Sequence, residues 1–338
     1  MIRLALRTSC LCLLVSLAAC TSAPAPLHLH GSAMGTTWQV TAYDPESRVA
    51  ELDARIRARL DDLVAQMSAW EPDSALSRFN RAPAGTWMDL PPDLFSVLDH
   101  ALTLAQQTDG AYDPTVAPLV DLWGFGPHGE PRDAPPVAAE IGRVQARIGW
   151  ARINLDHENH RGQQPGGVEV DINSLGPGYA VDAIAKVLSE AGVTHFLVEL
   201  GGEMRAVGGK PDGSAWRIAV ESPGDLSATQ FDTVAALHDA GLGTSGDYRI
   251  GFVHAGQRYS HTLDPRSGAP VTHNLAAVTV IDRTTMAADA LAAALMVLGP
   301  EQGMAFAKKH ELAAVFTVRH DNGFERLTTP AFARYREP

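Results

Sequence analysis

Cysteine is scarce in this chain and confined to one end. Its only three, Cys10, Cys12 and Cys20, fall within the first 20 residues. Beyond Cys20 there is no thiol for an internal disulfide, for nucleophilic attack or for a Cys-based zinc site. Positive charge is also in deficit: 27 Lys and Arg stand against 39 Asp and Glu, a net charge of −12 at pH 7. No basic cluster occurs in the body, which argues against nucleic acid as a partner. The apolar run at the front end, Leu11 to Leu17, falls short of the roughly 20 residues a bilayer span needs. What is present is ordinary globular composition, 45% hydrophobic and 20% charged over 338 residues. That length suffices for a large core, in one big domain or two smaller ones. The acidity suits a soluble protein with a neutral or metal-bridged ligand.

The front end is not part of the fold. Arg3 and Arg7 precede the apolar run, and Leu17-Ala18-Ala19 places small residues just before Cys20. This resembles a bacterial lipoprotein signal: residues 1–19 would be removed and Cys20 lipidated, anchoring the protein to a membrane and facing the periplasm. A plain signal peptide cut nearby is the alternative. Thr21 stands where an inner-membrane retention signal would have Asp, which favours the outer membrane. Residues 20–33 are expected to be a lipidated tether, with Thr21 to Pro26 its flexible part, and the folded domain to span 34–335.

Hydrophobic periodicity outlines the body. Val49 to Met67 and Pro92 to Thr108 repeat apolar residues at helical spacing. Strands are expected from Thr36 onward, over Gly167 to Asp171, His195 to Leu200, Trp216 to Glu221, Thr233 to Leu237 and Ala277 to Ile281. A hairpin through Phe252 and Tyr259 turns at Ala255-Gly256. Gly243 to Tyr248 reads as a small polar turn. The stretch from Gly167 through Gly176-Pro177-Gly178 into a helix reads as strand, Gly-rich turn, helix. Such a layout can cradle an anion or arise for geometric reasons alone. Strands, hairpins and two-sided helices together give an α+β fold, either one compact body or two lobes with a ligand between them.

Several residues carry candidate chemistry, each with a plainer alternative. His261 and Asp264 sit at a strand end running into Pro265 and Gly268. They suit a binding or catalytic loop, or a capped turn beside a packed histidine. Asp289 lies among alanines near the start of an apolar helix. It could favour the helix dipole, or, being buried, need a cation. Trp70 could stack on a ring or plug the core. Met34 could be functional or a core methionine.

The order of these pieces adds a constraint. Met34-Gly35-Thr36, Ser68-Ala69-Trp70 to Asn80, Tyr112-Asp113-Pro114-Thr115, Asp171 to Asp182, Thr244-Ser245-Gly246-Asp247-Tyr248, His261 to Gly268 and Met286 to Gly299 follow one another along the chain. From about Met34 to Phe332 the sequence resembles the ApbE family of FAD:protein FMN transferases. The resemblance implies a single ApbE-like, T-fold-related domain with mixed sheets and flanking helices around FAD. It implies Mg²⁺-dependent transfer of FMN from FAD to a Ser or Thr of a target protein, with release of AMP. Asp289 would be the metal carboxylate and the Gly176 carbonyl a further metal ligand. His261 would be the base, or would orient the group that serves, and would contact FAD together with Met34, Trp70, Asn80, Ala111, Tyr112, Asp113 and Asp171. Asn80 matches an asparagine that tunes transferase against hydrolase behaviour in related proteins. The implied acceptor motif is Asp-x-x-Ser/Thr-Gly-Ala-Ser/Thr. Asp264 to Ala269 matches its first six positions and Pro270 breaks the last, so the match is read as coincidence with the active-site loop. Two positions depart from the family pattern. Ala293 replaces a Thr metal ligand, and Pro177 stands where Lys or Glu precedes Gly178. An FAD pyrophosphatase giving FMN and AMP, or a non-catalytic flavin-binding lipoprotein, are the competing functions.

Overall fold

The computed structural model describes residues 25–43, 48–220, 233–248 and 250–336. The leader and Cys20 lie outside the described residues.

One antiparallel sheet organises the chain. Its eight strands are β1 (Leu27–Ala33), β2 (Thr36–Ala42), β3 (Phe196–Leu200), β4 (Glu203–Val207), β5 (Ala240–Gly246), β6 (Leu275–Asp282), β7 (Ala313–His320) and β8 (Gly323–Thr328). They lie side by side in chain order, so the sheet is a meander whose connections carry the rest of the fold. Between β2 and β3 come helices α1 (Val49–Met67), α2 (Pro92–Gln107) and α3 (Gly176–Glu190). Between β6 and β7 lies α4 (Thr285–Lys309), broken at Gly299, where φ is 77° ahead of Pro300.

The sheet is covered on both faces, which explains the apolar character of its central strands. Leu275 to Ile281 in β6 are buried, and so are Ala313 to Thr317 in β7. On one face α3 and α4 pack with α1 and α2 into the large core around Ile56, Leu98, Ile184 and Leu295. On the other, the hairpin of Trp216–Ala219 and Val234–Leu237 joins Phe332 in a smaller core. A third cluster, around Trp123, Leu119 and Leu263, ties the excursion after Asp113 to the hairpin of Gly251–His254 and Gln257–Ser260.

Three expectations are corrected. The folded body begins before Met34: Leu27–Ala33 pairs along its whole length with β2, and Leu29 is buried between exposed His28 and His30. Residues 167–171 form no strand. Val168, Val170 and Ile172 do alternate inward, but the Asn80 side chain takes the place of a neighbouring strand. Its Nδ2 donates to Val170 O at 3.0 Å and its Oδ1 accepts from Val170 N at 2.9 Å. Gly243 to Gly246 is no turn but the second half of β5. Glycine is required there by the helix behind it: a Cβ on Gly243 would lie 2.5 Å from Asp289 N, and one on Gly241 2.4 Å from Thr285 N.

Candidate functional site

The close approach of β5 and α4 forms the floor of a cavity of 640 Å³. Such volumes, about 300–1,000 Å³, are usual for cofactor-sized ligands. Its wall is assembled from parts of the chain far apart in sequence. Met34 comes from the β1–β2 turn, where it and Gly35 have φ of 51° and 73°. Two successive positive φ values make the tight turn that fits a two-residue hairpin. Ala111, Tyr112 and Asp113 come from the loop after α2, and Asp171 from the segment that Asn80 holds. Thr244 and Ser245 come from β5, His261 from the loop after the small hairpin, and Asp289 with Ala293 from α4.

The loops are fixed by their own aspartates. Asp113 Oδ1 accepts from Thr115 N at 2.8 Å and Thr115 Oγ1 at 2.6 Å, and its Oδ2 from Trp150 N at 3.1 Å. Asp171 N donates to Pro114 O at 2.7 Å, and Asp171 Oδ1 accepts from Asn173 N at 2.7 Å. Tyr112 Oη lies 3.0 Å from Ser174 Oγ. Burial raises the pKa of both carboxylates and of the Tyr112 phenol.

Asp289 is 5% exposed. Its Oδ2 accepts from Gly178 N at 3.0 Å, the only hydrogen bond it receives among the described residues. Burial, reinforced by the nearby Asp182 charge, pushes its pKa up to about 7. Among the described residues no cationic side chain pairs with it. Among the described residues no three His, Cys, Asp or Glu cluster to hold a metal. A cation beside Asp289 would therefore be held by one carboxylate together with backbone, water and substrate oxygens. That suits Mg²⁺, which keeps several waters and shares phosphates with its substrate, and does not suit zinc.

His261 is half-buried, 6.5 Å from the ring of Phe125 in an edge-on contact. Its Nδ1 lies 3.3 Å from the Ile250 carbonyl oxygen. A carbonyl only accepts, so Nδ1 carries the hydrogen and Nε2 keeps a lone pair. Loss of hydration lowers the His261 pKa from its ordinary value, which keeps the ring neutral. The hairpin before it is held by buried Asp247, which takes Arg319 at 2.9 Å and Arg258 at 3.5 Å.

Not every expected residue reaches the cavity wall. Asn80 acts from behind, through Val170. Gly176 is the buried first residue of α3, and its neighbour Pro177 is the one on the wall. Trp70 is 67% exposed, which removes the core-plug reading and leaves it on the surface. Asp264 is a turn cap, accepting from Arg266 N at 2.9 Å and pairing with the Arg266 guanidinium. Glu203 and Asp182 were not singled out by sequence. Glu203 is buried on the cavity wall. Asp182 sits between Val181 and Ala183 in an apolar helix, the same signal that pointed to Asp289.

An α+β body whose cofactor-sized cavity holds a buried carboxylate and a histidine with a lowered pKa has the features of an enzyme's active site. Residues 34–316 match the ApbE family, and the chain belongs to it. The FAD:protein FMN transferase of Haemophilus influenzae is 37% identical over 330 residues, 96% of this chain and 95% of that protein. That of Vibrio cholerae is 35% identical over 322 residues, 94% of this chain and 95% of its own. Among solved structures, the apo form of the Pseudomonas stutzeri flavinyl transferase ApbE superposes with a TM-score of 0.84 at 41% identity, covering 92% of this chain and 96% of that one.

Proposed function

We propose that this protein transfers FMN from FAD to a Ser or Thr hydroxyl of a target protein, with Mg²⁺, releasing AMP. The observation that carries the reading is that one cavity brings together Asp289, a buried carboxylate, and His261, whose Nδ1 faces the Ile250 carbonyl and leaves Nε2 available. Family membership and the names of the relatives support it. The apolar side chains of Met34, Phe125 and Leu242 offer a surface for flavin or adenine rings.

Asp289 would hold the cation together with the backbone around Gly176 to Gly178. When bound, Mg²⁺ supplies neutralisation of charge on the FAD phosphates and a fixed orientation of the phosphorus. His261 Nε2 takes the proton from the acceptor hydroxyl as that oxygen bonds to the FMN phosphorus. The bond from that phosphorus to the bridging oxygen breaks, and the electron pair leaves with AMP. The His261 proton passes to AMP or to water. Asp113 and Asp171, spent on their own loops, hold the wall in shape. Ala293, on the same wall, offers no hydroxyl, so water would have to supply that ligand, or the cation would be held more weakly.

We propose further that Cys20 carries a lipid and holds the enzyme to a membrane of the cell envelope, facing the periplasm, with Thr21 to Pro26 as tether. The acceptor would carry Asp-x-x-Ser/Thr-Gly-Ala-Ser/Thr.

The test is product stoichiometry. FAD, Mg²⁺ and an acceptor protein carrying that motif should give one AMP per flavin fixed to protein. AMP with free FMN and no labelled acceptor would establish the pyrophosphatase instead. Bound FAD with neither product would establish a binding protein.

A further inference from the structure

Asp182 and Asp289 stand on different helices, and each caps the helix of the other. Asp182, on α3, accepts from Thr285 N at 3.0 Å and Met286 N at 2.9 Å, the first N–H groups of α4. Asp289, on α4, accepts from Gly178 N in the first turn of α3. First-turn N–H groups have no partner within their helix and need one from outside. Thr284, the residue before α4, supplies its own oxygen only to Ala287 N, at 3.3 Å. The other two N–H groups depend on Asp182. The two helix starts are pressed together: a Cβ on Gly178 would lie 2.6 Å from Thr285 O and 2.9 Å from Asp289 Cβ. Asp289 is buried and Asp182 half-buried, and their charges oppose each other. Their closeness is sustained by three N–H donors, two helix dipoles and the Arg205 charge near Asp182.

We propose that Asp182 is a positioning residue: by clamping the first turn of α4 it sets the direction in which Asp289 presents its remaining oxygen to the cavity. With Oδ2 of Asp289 held by Gly178 N, the carboxylate has one edge for a cation, and the clamp at Thr285 and Met286 decides where that edge points. This rests on the reading of Asp289 as the metal carboxylate. Partners one shell behind a metal ligand commonly change affinity by about 10–100-fold when removed.

The test is Mn²⁺ binding, followed by electron paramagnetic resonance on the full chain. Asp182→Asn keeps the volume and one acceptor but turns a second donor toward an N–H group. It should weaken Mn²⁺ about tenfold, with flavin transfer restored by excess metal and the KM for FAD at saturating metal unchanged. Phe332→Leu, in the core on the far face of the sheet, should cost thermal stability and leave Mn²⁺ affinity alone. If Asp182→Asn does not fold, Asp182→Ser carries the test. Its shorter side chain still offers an acceptor oxygen but cannot hold both Thr285 N and Met286 N. Mn²⁺ affinity within twofold of wild type in the Asp182 variant that folds overturns the proposal. So does an equal weakening in Phe332→Leu. Mn²⁺ binding that Asp289→Ala leaves intact overturns the metal reading itself, and this inference with it.

Discussion

Replacing Asp289 with Asn should stabilise the metal-free protein at alkaline pH. The folded state raises the pKa of this carboxyl from 3.8 to about 7. Between those values the folded protein keeps a proton that the unfolded chain releases. Wild-type stability therefore falls as pH rises from about 4 to about 7, and stays low above it. The difference of about 3 pH units corresponds to about 4 kcal/mol at pH 8. Water drawn to the ionised group will lower the realised amount to about 2 kcal/mol, or a few degrees in Tm. Asparagine is neutral at both pH values, and its amide oxygen can still accept from Gly178 N. In EDTA, urea or thermal unfolding should show Asp289→Asn more stable than wild type at pH 8, with the advantage at pH 5 less than half as large. Mg²⁺ should reverse the order at pH 8, because only the carboxylate gains a partner. A variant equally destabilised at both pH values, with the same response to Mg²⁺ as wild type, would refute the assignment.

Three further perturbations probe the rest of the site. His261 has a lowered pKa, so its base form persists into mildly acid solution. The pH profile of kcat should stay level down through the ordinary histidine range and fall only below it, while His261→Ala should lose about 10²–10⁴-fold in kcat and this acid limb. Gly243→Ala places a methyl 2.5 Å from Asp289 N, against backbone that cannot turn aside. It should cost about 3 kcal/mol by urea unfolding and blunt the stabilisation by Mg²⁺. Asn80→Ala removes both side-chain bonds to Val170, a loss of about 2 kcal/mol. With the Asp171 segment loosened, its KM for FAD should rise, as steady-state kinetics would show.

Much of this was legible in the sequence because apolar spacing records which side of an element is buried. Val49 to Met67 is a helix with Leu52, Ile56, Leu60, Leu63 and Met67 inward, and the Ala255-Gly256 hairpin is where the pattern put it. Glycine was the main source of error. In Gly241-Leu242-Gly243-Thr244-Ser245-Gly246 it signalled a turn, yet here it makes room for α4 against a central strand. A contact between residues some forty positions apart leaves no local trace. The Gly167 to Asp171 stretch failed for the opposite reason: its alternation was real, but its backbone partners are a side chain and a loop. Asp289 was legible as a carboxylate in apolar surroundings. That Asp182 shares its predicament depends on how two helices meet, which periodicity does not encode. The sequential order of the strands was equally invisible, since long helical insertions separate β2 from β3 and β6 from β7.

The most direct measurement is the intact mass of an acceptor protein after incubation with FAD, Mg²⁺ and this enzyme. The acceptor should gain one FMN through its motif hydroxyl, and EDTA or Asp289→Ala should abolish the gain. An unmodified acceptor in the presence of enzyme that demonstrably binds FAD and Mg²⁺ would contradict flavin transfer.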